Sequence, residues 1–206
     1  MAQPPKKLAE TASQTAGPYV HIGLAPGAAG FEIYDRELGW DIVGPSARGS
    51  RIRVEGMVFD GTGEPVKDVL LEVWQANADG NFAHPDSGGP VEDGFRGWGR
   101  AISDFDSGLW SFETIKPGTI AISDGVFQAP HLSLWIVARG INLGLHTRLY
   151  FDDEDERNAA DPVLSEISDL QRRNTLIAQR SDDDALPVYR FDIRLQGDKE
   201  TVFFDV

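Results

Sequence analysis

Cysteine is absent from this 206-residue sequence, which excludes disulfides and thiolate-bound metal and points to a reducing compartment. Cations are scarce: 19 Lys and Arg face 33 Asp and Glu, a net charge of −14. Nucleic-acid binding neutralises phosphates with cations, and anionic membrane surfaces attract the same groups, so neither is an expected partner. No stretch approaches the roughly 20 apolar residues that span a bilayer. Lys6 and Lys7 are followed by no apolar run, so a cytoplasmic protein without a secretory leader is expected. The G-x-S-x-G, Walker and dinucleotide fingerprints are missing, and the glycine-rich 94–99 has no strand-to-helix context. The histidines, His21, His84, His131 and His146, form no H-x-H or H-x-x-x-H pair, so no local metal site is evident.

What is present is a globular chain, 41% hydrophobic, long enough for one domain over residues 1–206 with an N-terminal arm at about 1–25. Residues 130–140 carry the clearest pattern. Leu132, Leu134, Ile136 and Ala138 alternate with His131, Ser133, Trp135, Val137 and Arg139, which predicts a strand with one aliphatic and one mixed face. Similar alternation predicts strands at 51–59, 69–74, 100–103, 109–114, 146–151 and 189–195, and a terminal hairpin closed by 201–204. The long polar loop 77–99 reads as a functional or contact surface, and Ser181–Asp184 as a further loop. The acidic run 152–156 lacks the spacing of a calcium loop and reads as a solvated face. Ser168 and Gln171 read as a capping box opening a helix over 168–179. The expected architecture is mainly β: an antiparallel β-sandwich with one short helix and long loops. These patterns alone leave the function open.

Several segments together resemble the intradiol ring-cleaving dioxygenases: Leu71–Gly80 (LEVWQANADG), Phe112–Gly118 (FETIKPG) and Pro130–Ser133 (PHLS). Ser13–Tyr19 (SQTAGPY), Ala138–Asn142 (ARGIN) and Tyr189–Arg194 (YRFDIR) narrow the likeness to the alpha-type chain of two-chain members acting on protocatechuate. The resemblance covers about residues 10–206 and implies an Fe(III) held by two tyrosines and two histidines. That iron binds a catechol-like substrate, which O2 opens between its hydroxylated carbons; for protocatechuate the product is 3-carboxy-cis,cis-muconate. Hard anionic oxygens suit the ferric state. At the ligand positions this sequence has Phe82, Ile120, His131 and Ser133, so the expectation is no metal in this chain, with Fe(III) bound instead by a partner beta chain in a hetero-oligomer of αβ units.

The resemblance further implies that Thr15, Gly17, Pro18, Tyr19 and Arg139 of this chain line the partner's substrate pocket. A Gly-Pro backbone permits close approach to a ring, and Arg139 supplies hydrogen bonds to an anion; a strand-end salt bridge is the plainer reading of Arg139. Along a straight strand Arg139 lies about 26 Å from His131 at ~3.3 Å per residue, too far to share its pocket. A stand-alone module that binds aromatic acids without catalysis is the alternative reading, and a purely structural sandwich a third.

Overall fold

The computed structural model describes residues 12, 14–87, 89–181 and 185–205. Residues 1–11 and 13 of the expected arm, and 182–184 of the expected loop, lie outside them, while Ser181 of that loop instead ends the strand Ile177–Ser181, drawn in by sheet pairing. In chain order the elements are α1 (Tyr19–Leu24), β1 (Arg51–Phe59), β2 (Leu70–Gln75), β3 (Trp98–Ile102), β4 (Leu109–Ile115), β5 (Ile120–Ser123), β6 (Val126–Gln128), β7 (His131–Val137), β8 (Leu145–Phe151), α2 (Asp155–Ala160), α3 (Pro162–Glu166), α4 (Leu170–Asn174), β9 (Ile177–Ser181), β10 (Val188–Arg190) and β11 (Ile193–Arg194). Pairing runs β11-β1-β10-β9-β8-β7-β2-β3, with β4 on β1 and a separate β5-β6 hairpin.

The alternating pattern becomes a two-sided core. In β1 every second residue is buried, and Ile52, Val54 and Val58 join Trp110 and Phe112 of β4 in one cluster with Val73 of β2 and Leu132, Leu134 and Ile136 of β7. Two sheet faces therefore close on a single apolar layer, the arrangement of a sandwich.

The sandwich is mixed rather than antiparallel. β10 and β11 run parallel to β1, and β9 runs parallel to β8. Side-chain alternation is the same in both pairings, so the sequence pattern does not distinguish them. A parallel pair needs a crossover, and α2, α3 and α4 supply it between β8 and β9.

Four further local expectations change. The helix over 168–179 shrinks to α4, capped by the Asp169 carboxylate accepting from Gln171 and Arg172 N–H rather than by Ser168. The chain leaves the helix because Leu176 O accepts from Tyr150 N and residues 177–181 are drawn into β9, so sheet pairing overrides helical spacing. The acidic run is not simply solvated: Asp153 and Glu154 hold Lys116 at 2.8 and 2.7 Å, and Tyr189 donates to Asp153. The strand expected over 189–195 breaks at Phe191 and Asp192, and in place of a terminal hairpin Thr201 N bonds Arg194 O while Phe204 makes a single bridge to His146.

Candidate functional site

At Val137 β7 ends. Ala138 O accepts from Ile141 N, and Gly140 turns with φ 91°, a value that favours glycine. The turn projects Arg139 outward, its side chain 68% exposed, with Nε donating to Asp68 at 2.9 Å. Its terminal guanidinium nitrogens make no hydrogen bond to the described residues. Gly140 N donates to Thr15 Oγ1 at 2.6 Å, which ties the N-terminal arm to the turn. α1 follows, beginning just after Pro18.

These contacts frame a cavity of about 640 Å³ whose lining includes Pro18, His21, Ile22, Phe31, Asp68 and Arg139, with Lys67 and Phe105 also on its wall. Of the five residues expected at a partner's substrate pocket, Arg139 and Pro18 line this cavity of the single chain and Thr15 is fastened beside it through Gly140. Gly17 has open space around it, and Tyr19 is 81% exposed; neither lines the cavity.

His21, Lys67, Asp68 and Phe105 escaped the sequence reading. Pro18, His21 and Ile22 fall at i, i+3 and i+4, the spacing of one helical face, and that signal was available. Lys67 and Asp68 precede a strand and carried none. The His21 ring meets Phe105 edge-on at 5.3 Å, and its Nε2 has no hydrogen-bond partner. Burial lowers the His21 pKa; Asp68 opposes this and Arg139 adds to it. Two cationic side chains face one carboxylate here, on a chain of net charge −14. Apolar walls with an available guanidinium suit an aromatic anion.

At its other end, β7 serves a different surface. His131 is 3% exposed, with Nδ1 2.8 Å from Ala129 O, and burial depresses its pKa to about 4, Arg148 adding to the effect. Phe82 stacks on Trp74 with centroids 5.8 Å apart, Ile120 is buried at the start of β5, and Ser133 stands between Trp74 and Arg148 in the register of β2, β7 and β8.

Tyr150, distant in sequence from the ligand positions, lies 5.4 Å from the His131 ring. Burial pushes its phenol up to about 12, and its hydroxyl is engaged by Arg148 and Asp161. One imidazole, one serine hydroxyl, a protonated phenol and a guanidinium do not fit Fe(III), which needs anionic oxygen donors. Among the described residues no three His, Asp or Glu side chains group as metal ligands.

A family model described as Dioxygenase matches residues 35–197. The protocatechuate 3,4-dioxygenase alpha chain of Pseudomonas putida is 50% identical over 202 residues, 98% of this chain and 99% of that protein. The protocatechuate 3,4-dioxygenase beta chain of Burkholderia cepacia is 35% identical over 158 residues, 72% of this chain and 66% of that one. Among solved structures, 3-chlorocatechol 1,2-dioxygenase of Rhodococcus opacus superposes with a TM-score of 0.59 at 20% identity, over 75% of this chain and 62% of that chain, a likeness of fold. No described helix is long and apolar enough to cross a membrane.

Proposed function

The chain belongs to the intradiol ring-cleavage dioxygenase family, and from that premise we propose that it is the alpha subunit of a hetero-oligomeric protocatechuate 3,4-dioxygenase, whose Fe(III) is held by a beta chain. The observation that carries this is the 50% identity to an alpha chain over almost the full length of both proteins, against 35% over part of a beta chain. The donor set around His131, which does not fit ferric iron, supports the assignment of the metal to the partner.

In this reading residues 1–206 act as one cytoplasmic unit whose arm and Arg139 turn close the partner's substrate pocket. Arg139 keeps Nε on Asp68 and offers its terminal N–H groups to the substrate carboxylate. Thr15 fixes the arm against Gly140, while Gly17 and Tyr19, exposed in the single chain, meet the partner. Covering the cavity with a second chain excludes water and strengthens the guanidinium–carboxylate contact. Phe31, Ile33 and Tyr34 follow the arm and are 48–64% exposed, an apolar surface suited to burial against that partner.

The test is co-expression with a beta chain. Iron and protocatechuate cleavage are expected in the assembly and absent from the chain purified alone. Arg139→Ala in the assembly is expected to lower kcat/KM for protocatechuate by about tenfold or more, with iron content unchanged. Stoichiometric iron and turnover in the isolated chain would overturn the subunit assignment. Unchanged kinetics of Arg139→Ala would remove that residue's role.

A further inference from the structure

The outer face of β3-β2-β7-β8 carries a hollow that the proposed function does not use. Its residues form two cross-strand rows. One runs Trp98, Trp74, Ser133, Arg148; the next runs Arg100, Glu72, Trp135, His146. Ser133 is the smallest side chain in either row, so the face sinks between Trp74 and Arg148. The resulting cavity has a volume of about 340 Å³, and Trp74, Trp98, Trp135 and Phe204 supply its apolar wall. That volume lies within the range of small-molecule sites, roughly 300–1,000 Å³.

The walls are braced. Phe82 stacks on Trp74, and the Arg100 guanidinium lies 5.0 Å from the Trp98 ring. The negative charges nearby are already answered. Glu72 accepts from Arg100 Nε at 2.8 Å. Asp161 accepts from the backbone N–H groups of Ala129, Val163 and Leu164.

Arg148 is different. No carboxylate among the described residues lies within salt-bridge distance of it. Its Nη1 meets only the Tyr150 hydroxyl, at 3.3 Å, and its guanidinium lies 5.9 Å from the Phe204 ring. A half-buried guanidinium without a carboxylate partner among the described residues, opposite Ser133 in the sheet register and at the edge of an aromatic-walled hollow, calls for a flat anion.

We propose that this hollow is a metal-free binding site for an aromatic monocarboxylate, with Arg148 and Ser133 binding the carboxylate and Trp74 and Trp135 flanking the ring. The inference rests on the reading that this chain's own pocket holds no metal. Aromatic walls favour an aryl acid over an inorganic anion, and one guanidinium beside a paired Glu72 favours a single negative charge over a phosphate dianion.

Benzoate is the probe, titrated into the iron-analysed chain and followed by tryptophan fluorescence and calorimetry. One saturable site is expected. Benzamide, which keeps the ring and loses the charge, is expected to bind at least about tenfold more weakly. Arg148→Gln is expected to show the same loss, and Ser133→Phe, which fills the hollow, to abolish binding; circular dichroism and Tm establish that each variant is folded. In the αβ assembly, wild type is expected to bind one more benzoate per αβ unit than Ser133→Phe.

Absence of saturable binding by folded wild-type chain, equal affinity for benzamide, or undiminished binding by both variants would overturn the site. So would equal stoichiometry of wild-type and Ser133→Phe assemblies. Binding that tracks iron content instead of Arg148 would overturn both this site and the metal-free reading of the chain. Failure of the co-expressed enzyme to turn over, with benzoate binding intact, would instead strike the proposed function alone.

Discussion

The imidazole of His131 is sealed between Ala129 and Tyr150, and that burial gives the chain a defined acid response. Its pKa falls from 6.5 to about 4 on folding. Above 6.5 both folded and unfolded chains are neutral at this residue and pH has no leverage. Between 6.5 and about 4 the unfolded chain takes up a proton that the folded one refuses, so stability falls with falling pH. The accumulated loss is about 3 kcal/mol by pH 4, and below that it levels off. Chemical denaturation from pH 7 to pH 4 is expected to show this slope in wild type and a flatter one in His131→Gln, the difference isolating His131 from the carboxylates. At this scale the sequence was informative about Arg139, Pro18 and Ser133, whose segments carry family motifs. For His21 it offered only the helical spacing with Pro18 and Ile22, and it was silent about Asp68 and Arg148, which take their places only through cross-strand neighbours or a loop fold. Tyr150 shows why: it is nineteen positions from His131, yet the β7–β8 register sets the two directly opposite each other.

Among the elements, β1 is the most constrained, because it pairs on one edge with β4 and on the other with β10 and then β11. Between those last two, Phe191 N bonds Glu55 O and the Asp192 carboxylate accepts from Met57 N. Phe191 O lies over Gly56, where a Cβ would come within 1.8 Å of it and within 2.7 Å of the Trp110 ring. Gly56→Ala is therefore expected to destabilise the chain by about 3 kcal/mol, read as a lower urea midpoint, because backbone rather than a flexible side chain must move. A smaller effect is expected at α4, where Asp169→Ala removes an N-cap worth about 1 kcal/mol. The strands of β1, β2, β4 and β7 were legible because burial alternates along them. The helix at 168–179 was misread because Leu170 and Ile177 share a helical spacing but not a destination: Leu170 is 65% exposed, and Ile177 enters β9. Periodicity records which residues are apolar and says nothing of the surface that receives them.

For the whole molecule, the surface around the arm combines exposed aromatics with the terminal guanidinium nitrogens of Arg139, on a body of net charge −14. Phe31→Asp combined with Ile33→Asp places two charges on side chains that are 48% and 63% exposed. The isolated chain is expected to keep its Tm within about 1 °C, since exposed substitutions change stability little. Recovery of the αβ assembly by size exclusion is expected to drop sharply, because the same charges must then be desolvated at an interface. Loss of Tm in the isolated chain would show that the two side chains serve the fold; an undiminished assembly would show that the partner docks elsewhere.

The sequence by itself determined the strand-rich class, the aliphatic face of β7 and, through its motifs, the family, because each of these is a matter of local pattern or residue chemistry. Tertiary structure decided the parallel pairings, the early end of α4, the tie of Thr15 to Gly140, and the hollow between Trp74 and Arg148. Those depend on which strands lie side by side and in what register, and register is fixed by packing between segments far apart in the chain.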